Sequence, residues 1–237
     1  MTTDRADRRL KQDPSGYPDI ARYIDHTLLR ADASQQDIAR LCEEAKRYRF
    51  YSVCVHSGWV SFCKRELEGT DIRISAVCGF PHGASLTEVK ACEAQYAVEH
   101  GADEIDMVMA IGQLKSGNEN AVYEDIRAVV ESANGAVVKV ILETGLLTDE
   151  EIRMACRIVA EAGAHFVKTS TGFGPRGATV EDVKLMRMAS PEHVRVKAAG
   201  GIRTRTDAEK MIAHGASRIG TSAGPAIMSG ASGTAAY

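Results

Sequence analysis

From residue 23 onward the chain alternates between short runs rich in β-branched and apolar residues and longer stretches with helical spacing. Residues 24–29 read as a first strand, and Ser34 caps an amphipathic stretch reaching residue 49. Residues 51–56 and 73–80 form the second and third strands, with a helical segment over 58–67 between them and Pro81 stopping the third. A helix over 87–100 ends at Gly101, residues 104–109 form the fourth strand, and a helical region covers 121–133. Residues 137–143 are the fifth strand. Thr148 with Glu151 three residues on is a capping-box signature for a helix closing at Gly163. A sixth strand starts at His165 and runs into a hydroxyl- and glycine-rich loop ending at Gly174. Then come a helix over 180–189, a strand over 194–199, a helix over 205–214 and a last strand over 217–222.

Eight strand-like runs separated by helices imply parallel strands with covering helices, and the count of eight favours a closed α/β (β/α)₈ TIM barrel. The alternative is a doubly wound open sheet, which would carry a GxGxxG turn after its first strand; residues 26–30 contain none. The expected organisation is a polar leader over 1–20, one barrel domain over 21–228 and a flexible tail over 229–237.

A barrel strand alternates inward and outward, so residues of one parity share the lumen. Lys168 shares its parity with Phe166 and Ser170, Lys197 with Arg195 and Ala199, and Lys139 with Ile141 and Glu143. Asp106 pairs with Glu104, Asp25 with Thr27, and Cys54 with His56, while Val167, Val196, Val140 and Ile105 fall on the other, apolar alternation. Lysines crowded in a partly dehydrated lumen repel one another, which lowers the pKa of at least one. A neutral amine attacks carbonyls and forms a Schiff base, and a nearby aspartate moves protons. A register slip of one residue would instead turn the same side chains into a solvated network at one barrel end.

Composition narrows the partners. A net charge of −3 excludes nucleic acid or an anionic membrane as the main partner. No apolar run approaches the length of a membrane span, and residues 1–19 carry Asp4, Asp7 and Asp13, unlike a signal or transit peptide. The six cysteines have no CxxC or metal-like spacing and read as reduced, mostly buried thiols of a cytoplasmic protein. Cys54, His82 and the single Trp59 read as packing or rim residues rather than reactive ones.

A second constellation suits an anion. Gly200-Gly201 follow the seventh strand, Gly220-Thr221-Ser222-Ala223-Gly224 stand at the eighth, and Thr171-Gly172 follow the sixth. Phosphate sites of (β/α)₈ barrels are commonly built from the last two of these loops.

Phe166 to Phe173 and Val196 to Arg203, together with the stretches 24–28, 79–83, 101–108 and 139–144, resemble the deoxyribose-phosphate aldolase family over residues 20–224. The resemblance implies a metal- and cofactor-independent class I aldolase that reversibly splits 2-deoxy-D-ribose 5-phosphate into acetaldehyde and D-glyceraldehyde 3-phosphate. It implies that Lys168 forms the Schiff base, Lys197 depresses its pKa and Asp106 serves in the proton relay. Asp25 and Thr27 would line the sugar site, Gly172, Gly200, Gly201 and Ser222 would hold the phosphate, and Lys139 and Thr171 would also be substrate-binding. The terminal Tyr237 would reach toward the site from the tail. A homo-oligomer, a dimer first, is expected. Two other readings of the same residues stand beside it. One is a barrel isomerase or lyase using Asp106 and Glu143 as acid and base; the other is a non-catalytic sugar-phosphate sensor.

Overall fold

The computed structural model describes residues 19–231 and residue 233. The leader over residues 1–18 and Tyr237 lie outside the described residues. Eight strands close into one parallel barrel in chain order: β1 (Ile24–Thr27), β2 (Ser52–Val55), β3 (Arg73–Cys78), β4 (Glu104–Val108), β5 (Val137–Ile141), β6 (Phe166–Lys168), β7 (Arg195–Ala199) and β8 (Arg218–Thr221), with β8 pairing back onto β1. The open-sheet alternative is thereby excluded.

Between the strands run α1 (Gln35–Tyr48), α2 (Val60–Glu66), α3 (Thr87–Glu99), α4 (Ile111–Lys115), α5 (Glu119–Ser132), α6 (Asp149–Glu161), α7 (Val180–Ala189), α8 (Arg205–Ala213) and, after β8, α9 (Gly224–Ser229). Local chemistry sets their starts. Ser34, Thr148 and Thr204 each accept a hydrogen bond from a backbone N–H three residues on, and the acidic side chain there returns the bond, closing three capping boxes. The strands are shorter than their sequence patterns, because each ends where the chain must leave the ladder for a loop. Two short helices, α4 and α9, escape the pattern because five or six residues carry too little periodicity.

The two strand faces do separate work. Val167, Val196, Val140 and Ile105 point outward and pack with the helices in one continuous apolar layer. Inside, a small separate apolar group of Leu29, Cys54 and Val77, with Phe80 against it, caps a polar lumen. Five cysteines are buried, Cys92 is exposed, and all six are free thiols. Half-buried Trp59 packs edge-on against Phe62 at 6.1 Å between ring centroids.

Outside the lumen a second ion pair is fully buried. Lys90 of α3 donates to Asp125 Oδ2 of α5 at 2.7 Å and to the carbonyl of Val108 at 3.0 Å, and Thr87 donates to Asp125 Oδ1 at 3.1 Å. It ties two helices to the end of β4, the strand that carries Asp106. Lys90→Met should strand Asp125 and cost about 3–5 kcal/mol, whereas Lys90→Met with Asp125→Leu should recover most of it. Denaturant midpoints of the two variants check this; equal midpoints would show that the pair contributes no more than its packing.

Candidate active site

The strand register puts Asp106 opposite Lys139, Ile141 opposite Lys168, and Lys168 opposite Lys197. The predicted alternation holds, and the side chains converge near the middle of the lumen. Asp106 is the hub. Its Oδ2 accepts from Lys168 at 2.8 Å and from Lys197 at 2.8 Å, while its Oδ1 accepts from Lys139 at 2.6 Å and from Ser75 at 2.9 Å. Lys139 also reaches Glu104 at 2.6 Å and Ser75 at 3.0 Å. Lys197 is further paired with Asp25, which Arg218 approaches at 2.9 Å and Ser52 at 2.6 Å. Arg218 closes the network on Glu104 at 3.1 Å, its guanidinium lying 3.5 Å from the centre of the Tyr51 ring.

The connected network therefore holds four basic groups (Lys139, Lys168, Lys197, Arg218) against three carboxylates (Asp25, Glu104, Asp106), none more than 3% exposed. Fully ionised, it would carry one uncompensated positive charge in a dehydrated space, which is strongly disfavoured. The cost falls on the base with the least carboxylate around it. Burial opposes ionisation of Asp106, yet Lys139, Lys168 and Lys197 hold its carboxyl well below the usual range. Burial opposes that of Asp25 too, and Arg218, Lys197 and Lys139 overcome it. Burial likewise acts against charge on Lys139, Lys197 and Arg218, but two or more carboxylates around each raise their pKa values. Lys168 differs. Its pKa is lowered, first by burial and then by Lys197, and Asp106 offsets this only in part. The nearest competing nucleophile, the Cys54 thiol, is pushed up by burial and stays protonated.

At the mouth, Phe80 stands edge-on to His56 at 5.8 Å and to Phe173 at 5.4 Å, and His56 donates from Nε2 to the carbonyl of Leu29 at 3.0 Å. His56 is thus a loop anchor, and His82 is an exposed rim residue. Glu143, at φ 57° and ψ 61°, accepts the N–H of Thr171 at 3.2 Å and its hydroxyl. That carboxylate holds the loop after β6 and stands outside the lysine network.

The glycine loops gather at the same end. Gly172, Gly200 and Gly201 have φ of 91°, 87° and 77°, a region that disfavours any side chain. Gly220 and Thr221 lie within β8 rather than in a loop. A side chain at Gly220 would come within 3.1 Å of the Lys197 stem, so this glycine makes room for the lysine. Thr221 donates to the carbonyl of Ile202 at 2.8 Å and accepts from Ala223 N–H at 2.9 Å, binding the two last loops together. Ser222 lines a cleft of about 230 Å³ with Thr27, Arg30 and Arg40. Thr27 itself donates to the backbone carbonyl of Asp25 at 2.8 Å.

The sequence reading brought Lys168, Lys197, Lys139, Asp106 and Asp25 together. It passed over Arg218, Ser52, Ser75 and the role of Glu104, although Arg218 shares its alternation with Gly220 and could have been found by extending the parity argument to β8. It named Lys197 as a group that depresses the Lys168 pKa; Lys197 does lower it, and burial lowers it more.

The site is thus a closed (β/α)₈ barrel whose lumen lowers the pKa of one buried lysine, with glycine loops following the same strands. The chain belongs to the DeoC/LacD family of aldolases, whose model matches residues 20–234. It is 56% identical over 215 residues to deoxyribose-phosphate aldolase 2 of Bacillus licheniformis, covering 90% of this chain and 96% of the relative. It is 54% identical over 211 residues to the deoxyribose-phosphate aldolase of Streptococcus uberis, covering 89% and 96%. Among solved structures, the tetrameric deoxyribose phosphate aldolase of Aeropyrum pernix superposes with a TM-score of 0.83 at 35% identity, covering 89% of each chain.

The charge count has a consequence for stability. Lys168→Met should leave the network at three against three and keep or raise the melting temperature. Lys139→Met also leaves three against three, but it takes away the cation that Glu104 and Asp106 share and should cost about 3–5 kcal/mol. Thermal unfolding of both variants at neutral pH checks this; a Lys168→Met variant as unstable as Lys139→Met would contradict the ranking of Lys168 as the least compensated base.

Proposed function

We propose that the chain is a class I aldolase, a lyase that reversibly cleaves 2-deoxy-D-ribose 5-phosphate to D-glyceraldehyde 3-phosphate and acetaldehyde in deoxyribonucleotide catabolism. The observation that carries the proposal is the single under-compensated lysine, Lys168, in an otherwise paired lumen. The neutral amine adds to the C1 aldehyde of the open-chain sugar, and loss of water leaves the protonated imine. A base takes the proton of the C3 hydroxyl, the C2–C3 bond breaks, and its electron pair moves toward the imine nitrogen to give an enamine. D-Glyceraldehyde 3-phosphate leaves. A proton then returns to C2, and water hydrolyses the imine to acetaldehyde and free Lys168.

Asp106, in contact with both Lys168 and Lys197, suits the relay that carries these protons. Lys197 adds to the lowering of the Lys168 pKa. Asp25 and Thr27 are assigned to the sugar side, Gly172, Gly200, Gly201 and Ser222 to the phosphate, and Lys139 and Thr171 to substrate binding; the shared cleft of Thr27 and Ser222 supports the grouping of sugar and phosphate sides. The proposed catalytic domain is residues 21–228. No described helix is long and apolar enough to cross a membrane, and the free thiols support a cytoplasmic address. A homo-oligomer, a dimer first, is supported by exposed Leu86, Val89 and Tyr96 along α3.

The acid–base isomerase reading loses its second group, since Glu143 is occupied with Thr171. Borohydride reduction in the presence of acetaldehyde should leave an N-ethyl group on Lys168, read by peptide mass spectrometry, and none on a Lys168→Met variant. No adduct on Lys168 would refute the imine mechanism.

Lys197→Met removes a repelling cation and frees Asp106 for Lys168, and both changes raise the Lys168 pKa. The amine then needs a higher pH to lose its proton. The acid limb of the trapping rate should therefore move to higher pH; a profile identical to wild type would remove Lys197 from the mechanism.

A further inference from the structure

Three hydroxyls follow the reactive lysine in an unbroken row, Thr169, Ser170 and Thr171. The outer two are engaged in holding the fold. Thr169 Oγ1 donates to the carbonyl of Ala199 at 3.1 Å and accepts its N–H at 3.0 Å, which fastens the end of β6 to β7. Thr171 Oγ1 donates to Glu143 Oε2 and accepts the N–H of Phe173 at 3.0 Å, which shapes the loop. Ser170 is different. It is completely buried, and its Oγ has no hydrogen-bond partner among the described residues. A buried hydroxyl without a partner is rare and costly, because its hydration has been lost and nothing replaces it.

Its surroundings say what the partner is. Ser170 continues the alternation of Lys168, so it faces the same interior one step nearer the mouth. A methyl group built on Gly200 would lie 3.5 Å from Ser170 Cβ, 3.7 Å from Gly172 Cα and 2.9 Å from Gly177 Cα. Ser170 therefore stands inside the glycine cradle formed by the loops after β6 and β7. Gly172 and Gly200 both hold backbone conformations that disfavour side chains, which lets Gly177, Gly172 and Gly200 pack closely around Ser170.

We propose that Ser170 is a substrate-binding residue whose hydroxyl donates a hydrogen bond to the phosphate group of the substrate in the cradle of Gly172, Gly200 and Gly201. This rests on the function proposed above. A phosphate dianion offers only acceptors, and a serine hydroxyl is a rotor that can turn its one proton toward it. Thr171 cannot supply that proton, since Glu143 holds it. The donor next to the reactive lysine is thus the middle residue of the three. Ser170 acts on affinity for the phosphorylated end and leaves the chemical step at Lys168 unchanged.

The test is Ser170→Ala, with Ser170→Cys as a second variant that keeps the bulk and loses the strong donor. The expected KM for 2-deoxyribose 5-phosphate rises about 10- to 100-fold, the range for a hydrogen bond to a charged group, with kcat within about twofold of wild type. For unphosphorylated 2-deoxyribose, kcat/KM should not change. The melting temperature without ligand should stay or rise, because an unpartnered hydroxyl has been removed. The stabilisation that inorganic phosphate gives the wild type should shrink. An unchanged KM and an undiminished phosphate shift would overturn the proposal, as would equal losses on both sugars with a lower melting temperature. If the wild type itself neither prefers the phosphorylated sugar nor gains stability from phosphate, the functional reading fails first, and this one with it.

Discussion

Burial of four basic and three acidic side chains in one connected network is the constraint on which the rest of this structure depends. A barrel of this class ordinarily fills its interior with branched aliphatic residues. Here Leu29, Cys54 and Val77 form a small apolar group near the mouth, and beneath it charge shares the space with buried Phe166 and Ile141. The imbalance in that charge is chemically useful. Where carboxylates surround a base, its proton is held tightly; where one carboxylate oxygen is shared with a neighbour, it is not. Asp106 Oδ2 is shared between Lys168 and Lys197, and Lys197 alone of the two has Asp25 as well. Placement of Asp25 on β1 therefore separates the two lysines in basicity, with Lys197 raised and Lys168 lowered.

The rest of the fold holds that arrangement in place. Register across β4, β5, β6 and β7 brings the charges into contact, and a slip of one residue would turn a lysine, or in β4 Glu104 and Asp106, into the helical layer. Gly220 gives the Lys197 stem its space, while the buried Lys90–Asp125 pair pins the end of β4 from outside the barrel. Glu143 fixes the loop after β6, and Thr221 joins the loops after β7 and β8. The glycine loops after β6 and β7 consequently lie at the end of the barrel toward which the strands carrying Lys168 and Lys197 run.

Much of this was legible in the sequence, for a physical reason. Parallel strands covered by helices alternate strictly, so Val167 and Val196 outside and Lys168 and Lys197 inside announce their faces without any three-dimensional information. Capping boxes at Ser34 and Thr148 mark helix starts by chemistry confined to four residues. What was not legible is pairing between residues distant in the chain. Arg218 meets Asp25 across 193 positions and Lys90 meets Asp125 across 35. Nothing local distinguishes these basic residues from solvated ones. The ranking of Lys168 below Lys197 in basicity also needed the carboxylate geometry, since both sit on equivalent strand positions. Ser170 and Thr171 look alike in sequence; only the engagement of Thr171 by Glu143 separates them.

The central claim is that Lys168 is the lumen base that gives up its proton. It is tested most directly by a ¹³C NMR titration of the ε-carbons in lysine-labelled protein without substrate, with the Lys168 signal assigned by its loss in Lys168→Met. The account predicts that Lys168 titrates below the ordinary lysine value of about 10.4, while Lys139 and Lys197 remain charged throughout the range in which the protein is folded. A Lys168 signal that titrates at or above that value, with Lys139 or Lys197 losing its proton first, would contradict it.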